Sequence, residues 1–181
     1  MIISLTGFMG CGKSSVGKKL STLLSCRFID LDDYIESVAC MKIPEIFEVL
    51  GEAGFREKEY EALSGIISDF RSNDDNVTVL SLGGGTLTTE KCRKIIKSKT
   101  KCFYLKAETE TLERNLEKNW ENRPLISKTC GSGQNLRQII YSLMEERSLF
   151  YEECASATID TDGKTFDEIT YRIYKLTIEN L

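Results

Sequence analysis

Within fourteen residues the chain commits itself to one kind of local architecture. "MIISLTG" is a short apolar run ending in glycine, and "GFMGCGKS" continues it from Gly7 to Ser14. "KSSVGKKLSTLLS" then sets Val16, Leu20 and Leu23 at helical spacing between lysines. This reads as a strand, a glycine-rich loop and the start of a helix. The loop fits the pattern G-x-x-x-x-G-K-S/T. Its glycines let the backbone wrap so closely that successive N–H groups point inward at an anion, and the helix start adds its positive dipole end. Such a loop holds nucleotide phosphates, with Lys13 reaching the β- and γ-phosphates and Ser14 ligating Mg2+. A dinucleotide site is excluded, because "GCGKSS" lacks the third glycine of G-x-G-x-x-G. What remains open is the receiver of the phosphate: water, a protein side chain or a small molecule.

The rest of the chain repeats the alternation. "RFIDLDDYIE" reads as a strand running into a helix, and "PEIFEVLGEAGFREKEYEALSGIISDF" as helices interrupted near Gly51 and Gly54. "SNDDN" is a polar turn, and "VTVLSL" is a β-prone run stopping at "GGG". Thr88 or Thr89 can cap the helix "EKCRKIIKS". "KCFYLK" is a strand and "ETLERNLEKNW" a helix. "ENRPLISKTCGSGQN" is rich in breakers and reads as a mobile loop. A helix "LRQIIYSLMEERSLFYEE", a strand "SATIDT" and an amphipathic helix "TFDEITYRIYKLTIENL" complete the chain. Strands alternating with helices imply an α/β domain with a parallel sheet. There is no internal repeat, low-complexity tract or interdomain linker, and 181 residues suffice for one domain with a real core.

Composition removes several classes of function. A net charge of -4 argues against nucleic acid as a partner. No apolar run reaches the roughly 18 residues of a membrane span, and the phosphate loop begins too early to leave room for a targeting peptide. The seven cysteines are odd in number and form no C-x-x-C, as expected of reduced thiols in a cytoplasmic protein. With no histidine, Ser-His-Asp and Cys-His systems are excluded, so a general base must be a carboxylate, Lys, Tyr, Cys or water.

Four further groups ask for a purpose. "FIDLDD" sets Asp30 and Asp32 two apart at a strand end, where period-2 geometry aims both to one side with Phe28. Two carboxylates beside bound phosphates suit Mg2+ ligation and proton abstraction from an alcohol; equally, acidic residues end strands and cap the next helix. Arg56 lines up with Tyr60, Leu63 and Ile67, and Arg147 with Ile140, Leu143, Met144, Phe150 and Tyr151. A guanidinium leaning toward an apolar stripe needs a partner: an internal carboxylate such as Glu59 or Asp32, or an anionic substrate held in a two-pronged grip. "LGGGT" places Gly83, Gly84 and Gly85 at the carboxyl end of a strand, where ligands bind in parallel sheets. A tight turn needs one or two glycines, so the third points to a close approach. Finally, Arg123 of "NRPLI" is either solvated or swings onto the transferring phosphate when its loop closes and expels water.

Taken in order, these motifs resemble those of the shikimate kinase family, within the P-loop nucleoside-monophosphate-kinase-like fold. "GFMGCGKSSVG" resembles the family's phosphate loop, "FIDLDDYIE" its D-x-D segment and "FREKE" its F-R-x-x-E segment. "LSLGGGT" resembles its glycine-rich strand end, "RPLI" the lid's R-P-L-L and "ERSLFYEE" its R-x-x-x-Y helix. Apart from the first, each motif alone is weak; six in the right order are specific.

The resemblance implies a three-layer P-loop NTPase fold with a central five-stranded parallel sheet. It implies one domain over 1–181, with a core of 1–111 and 136–181, a mobile lid at about 112–135 and substrate-binding helices at about 33–63. It implies transfer of phosphate from ATP to the 3-hydroxyl of shikimate by a monomer. Gly10, Cys11, Gly12, Lys13, Ser14 and Ser15 would hold the ATP phosphates, Ser14 would bind Mg2+ directly, and Asp30 would do so through water. Asp32 would bind the acceptor hydroxyls and serve as base. Arg56 and Arg147 would clamp its carboxylate, with Glu59 orienting Arg56, the glycines 83–85 giving backbone contact, and Phe47 and Phe55 walling the ring. Arg123 would close over the phosphates, and Arg114 and Lys164 would lie near the adenine. "NLEKNWEN" and "SKTCGSGQ" depart from the family pattern, and "DTDGKTF" lacks a proline often found there.

Two rivals share the phosphate loop. A GTPase-like switch would use D-x-x-G, which "DTDG" offers only near the C-terminus, and N-K-x-D, which is absent. Gluconate-type or nucleotide-type kinases would not need Arg56, Arg147 and Gly83–Gly85 together.

Overall fold

The most apolar strands lie in the middle of the sheet, where both faces are covered. The computed structural model describes residues 1–72, 77–117 and 135–179. Strands β1 (Ile2–Thr6), β2 (Arg27–Asp30), β3 (Thr78–Ser81), β4 (Thr100–Lys106) and β5 (Ala157–Asp160) form one parallel sheet in the order β2-β3-β1-β4-β5. Every residue of β1 and β3 is buried, as a strand covered on both faces requires, while the edge strands β2 and β5 are only partly so. Of the hydroxyls this buries in β1, Ser4 Oγ lies 2.7 Å from Thr100 Oγ1, whereas Thr6 Oγ1 has no hydrogen-bond partner among the described residues.

The strand order creates the site. From β1 the chain passes through α1 (Lys13–Leu23) outward to β2, beyond β3. From β3 it passes through α4 (Glu90–Lys99) the other way, past β1 to β4. The segments leaving the neighbouring strands β1 and β3 therefore diverge, which opens a crevice at their carboxyl ends. Right-handed crossovers in opposite directions put α1 and α4 on opposite faces of the sheet. α1 packs with α7 (Phe166–Ile178), and α4 with α6 (Leu136–Cys154). Beside β2, α2 (Leu31–Ala39) packs on α3 (Ile43–Ser72), and α5 (Thr109–Leu116) follows β4 and packs on α6.

Local expectations fare unevenly. The long helical segment breaks at Gly51, with φ 70° and ψ -177°, but runs through Gly54 without interruption. A positive φ is what a glycine supplies; Gly54 takes the ordinary helical backbone and costs only propensity. Thr89 takes the N-cap position of α4 by its extended backbone, without a side-chain hydrogen bond. Most of "SNDDN", and the breaker-rich segment with Arg123, fall outside the described residues. Among the described residues no helix is long and apolar enough to cross a membrane.

Candidate active site

The glycine-rich loop leaves β1 and enters α1 at Lys13, as its pattern predicts. Gly10 and Gly12 have φ of 85° and 94°, a region L side chains rarely adopt, and this curls the loop. Lys13 is buried, and its Nζ donates to the carbonyls of Gly7 at 2.9 Å and Phe8 at 3.0 Å. The ammonium is thereby held inside the loop. Ser14 and Ser15 are exposed at the first turn of α1, beside the positive end of its dipole.

Asp30 and Asp32 do not share a strand face. β2 ends at Asp30, whose extended backbone makes it the N-cap of α2, and Asp32 is already in the first helical turn. Asp30 Oδ1 accepts from the Asp32 amide at 3.1 Å, and its Oδ2 accepts from Ser14 Oγ at 2.6 Å. Of the two readings the sequence left open, the helix cap is the one seen at Asp30, and the same carboxylate also engages the phosphate-loop serine. The cap turns Asp32 away from the strand direction and toward the glycine turn after β3.

That turn organises the remaining groups. None of Gly83, Gly84 and Gly85 has a positive φ, so their backbone alone does not require glycine. Their neighbours do. A Cβ on Gly83 would lie 2.8 Å from Asp32 Oδ1 and 3.0 Å from both Glu59 Oε1 and Thr86 Oγ1. One on Gly84 would lie 3.1 Å from the Met9 amide nitrogen in the phosphate loop. One on Gly85 would overlap the Arg56 guanidinium. The three glycines bring the phosphate loop, two carboxylates and an arginine against one stretch of backbone.

Both inward-leaning arginines end at this turn, with different partners. Arg56 Nη1 donates to Glu59 Oε2 at 2.8 Å and Nη2 to Glu52 Oε1 at 3.2 Å. Burial alone would lower the Arg56 pKa; the charges and hydrogen bonds of Glu59 and Glu52 overcome it and hold the group above its ordinary value. Arg147 is 3% exposed and has no carboxylate among the described residues; its Nη1 reaches Gly84 O at 3.5 Å. Nε of Arg56 and Nε of Arg147 are buried without a hydrogen-bond partner among the described residues. The internal-carboxylate alternative thus holds for Arg56 through Glu59, while Arg147 keeps guanidinium capacity to spend on an anion.

With this geometry, sequence and structural comparisons agree. A sequence model of the shikimate kinase family matches residues 9–177. The shikimate kinase of Dictyoglomus turgidum is 39% identical over 173 residues, covering 94% of each chain. The structure of shikimate kinase from Acinetobacter baumannii in complex with shikimate superposes with a TM-score of 0.86 at 32% identity, over 99% of this chain and 93% of that one. That from Bacteroides thetaiotaomicron gives 0.83 at 30% identity, over 98% of each.

The chain belongs to the shikimate kinase family. It is an ATP-using kinase, and its five-stranded parallel sheet flanked by helices is that of the shikimate kinase structures. Phe47 and Phe55 are buried with ring centroids 4.5 Å apart, and the Arg56 guanidinium carbon lies 5.4 Å from the Phe55 centroid. Arg114 is exposed on α5. Lys164 pairs with Asp160 at 2.8 Å in the loop before α7. Arg123 lies outside the described residues.

Two contacts of the phosphate loop had no signal in the sequence, and one at the glycine turn had only a hint. Asn115 Nδ2 donates to Gly10 O at 2.9 Å, which fastens α5 to the phosphate loop. A Cβ on Gly12 would lie 2.8 Å from the Phe166 ring, so the start of α7 packs closely on the loop. Tyr151, one turn after Arg147, donates its hydroxyl to Gly84 O. For Tyr151 the place on the apolar stripe beside Arg147 was a hint; for Asn115 and Phe166 nothing in the spacing pointed to the loop.

Proposed function

We propose that this kinase transfers the γ-phosphoryl group of ATP to the 3-hydroxyl of shikimate, releasing 3-phosphoshikimate and ADP, as a step of aromatic amino acid biosynthesis. The observation that carries this reading is the convergence on Gly83–Gly85 of two carboxylates, Asp32 and the Arg56 partner Glu59, and two arginines, Arg56 and Arg147, beside a phosphate loop. A polyol acid fits that set: its carboxylate matches guanidinium donors, and its hydroxyls match Asp32.

In the reaction Asp32 accepts the proton of the attacking hydroxyl as the new O–P bond forms and the bond to the ADP oxygen breaks. Gly10, Cys11, Gly12, Ser14 and Ser15 hold the phosphates through the loop and the start of α1, and Lys13 stabilises charge on the transferred group. Ser14 Oγ and Asp30 form an all-oxygen pair suited to Mg2+, a hard cation usually held by one or two protein groups together with phosphate and water. When bound there, Mg2+ would neutralise charge on the phosphates. Arg56 and Arg147 fix the acceptor's carboxylate, Glu59 orients Arg56, and Gly83, Gly84 and Gly85 admit the substrate close to the backbone. Phe47 and Phe55 wall the acceptor ring. Arg114 and Lys164 flank the adenine, and Arg123 closes over the phosphates from the lid.

We read the protein as one domain, a monomer without nucleic-acid or membrane partners. Cytoplasmic location is supported by six unpaired cysteines among the described residues. The test is ADP release from Mg-ATP with and without shikimate, for the native chain and for Asp32→Asn. Release should require shikimate and fall by about 10²–10⁴-fold in the variant, the range of a lost general base. Equal ADP release without shikimate would refute the acceptor.

A further inference from the structure

Arg56 rests on a carboxylate whose other oxygen is held by a hydroxyl. Glu59 is 1% exposed and divides its oxygens: Oε2 takes Arg56 Nη1 at 2.8 Å, and Oε1 takes Thr86 Oγ1 at 2.6 Å. Thr86 is fully buried and sits directly after the glycine turn. Its amide donates to Gly83 O at 3.2 Å, closing a short 3-10 helix (Thr86–Thr88). Arg93 caps that helix, donating to the carbonyls of Leu87 at 2.7 Å and Thr88 at 3.0 Å, and its guanidinium carbon lies 4.2 Å from the Phe150 centroid. Thr86 is therefore a rigidly mounted donor on a fixed piece of backbone.

The second partner of Arg56 gives this mounting its importance. Glu52 lies one turn back on α3, is 55% exposed, and accepts from Nη2 at 3.2 Å. The buried Glu59 accepts from Nη1. The guanidinium is balanced between a carboxylate facing solvent and one facing the glycine turn. A carboxylate free to rotate holds an arginine less firmly than one with its second oxygen pinned, because the pinned group has already lost its torsional freedom.

We infer that Thr86 is a positioning residue for the acceptor's carboxylate: its hydroxyl locks Glu59, and Glu59 presents Arg56 to the substrate. The inference rests on the reading that Arg56 binds the carboxylate of shikimate. It assigns Thr86 a part in acceptor selectivity and none in phosphoryl transfer. Without the hydroxyl, Glu59 loses its fixed orientation and Glu52 gains the guanidinium, so the acceptor site loosens while the phosphate loop stays as it was.

The test is steady-state kinetics of Thr86→Val and Thr86→Ser, with shikimate and ATP varied in turn. A hydrogen bond to a charged group is worth about tenfold or more in affinity. Thr86→Val should raise KM for shikimate by about tenfold, with kcat and KM for ATP within about twofold of the native chain. Thr86→Ser keeps the hydroxyl and should restore native KM. An acceptor analogue lacking the carboxylate should be used equally by native and Thr86→Val proteins. Should Thr86→Val not fold, Thr86→Ala removes the same hydroxyl without placing a methyl against Glu59 and carries the same expectation. An unchanged KM for shikimate, a Thr86→Ser variant as impaired as Thr86→Val, or a parallel loss in kcat and both KM values overturns the inference while leaving the proposed function standing. Failure of the native chain to use shikimate overturns both.

Discussion

Replacing Gly85 by alanine should damage acceptor binding without damaging the fold. Gly85 has φ -111° and ψ 0°, a backbone that alanine also adopts. The obstacle is the Arg56 side chain. An added Cβ would lie 2.8 Å from Nη1 and 2.9 Å from Cζ, and closer still to Nη2. Ordinary contact needs roughly 3.5 Å or more, so the guanidinium must retreat by about 1 Å. It can do so, because it ends a flexible side chain with Glu52 ready on the outer side. A misplacement of about 1 Å in a substrate-positioning group costs up to about 10²-fold, or about 2.7 kcal/mol. The loss should appear in kcat/KM for shikimate, with KM for ATP unchanged. The melting temperature should stay near native, since the lower entropy of an unfolded chain with alanine offsets part of the strain. A coupled assay of ADP release with each substrate varied, beside a thermal melt, reads both quantities. A native kcat/KM for shikimate in a folded Gly85→Ala protein would refute the placement of the acceptor's carboxylate at Arg56.

Other expectations follow from the same geometry. Lys13→Met removes a buried cation from the phosphate loop and should lower kcat by about 10²–10³-fold, as loss of a transition-state donor does; a kcat within tenfold of native would deny Lys13 that part. Chelation of Mg2+ should abolish ADP release, and Ser14→Ala should raise the Mg2+ concentration needed for half-maximal rate; an unaltered Mg2+ titration would remove Ser14 from the metal site. Burial pushes the thiols of Cys92 and Cys102 from 9.0 up to about 12. Their folded pKa values exceed their unfolded ones, so their contribution is intact below pH 9 and lost as pH rises toward 12. At pH 10 each should cost on the order of 1 kcal/mol of stability relative to neutral pH. Urea unfolding at pH 8 and pH 10 reads this, and Cys92→Ala should lessen the drop; equal midpoints for the native chain would contradict the burial argument.

Much of this protein could be read before its fold was seen, and the failures have physical causes. The phosphate loop was legible because its glycines, lysine and serine act over eight consecutive residues, where backbone geometry is local. Arg56 and Arg147 were legible as oddities, because a charge on an apolar stripe violates helical patterning. Asp32 was legible as a candidate but misplaced: period-2 geometry assumed a strand, whereas Asp30 ends the strand by capping a helix. Gly54 looked like a break, yet its backbone is helical and only Gly51 takes the positive φ. Gly83–Gly85 were expected to allow a close approach, but what approaches could not be foreseen: Asp32 and Glu59, the Met9 amide, and Arg56, each from a distant segment.

The sequence by itself therefore determined the alternation of strands and helices, the phosphate loop and the chemical inventory of the site, because propensity, spacing and charge burial act over a few neighbouring residues. Only the tertiary structure decided the pairings: Ser14 with Asp30, Asn115 with Gly10, Thr86 with Glu59, and both arginines at one glycine turn. These join residues as far as 105 positions apart. Such contacts follow from the strand order β2-β3-β1-β4-β5, which brings the ends of β1 and β3 together, and no local preference carries that order.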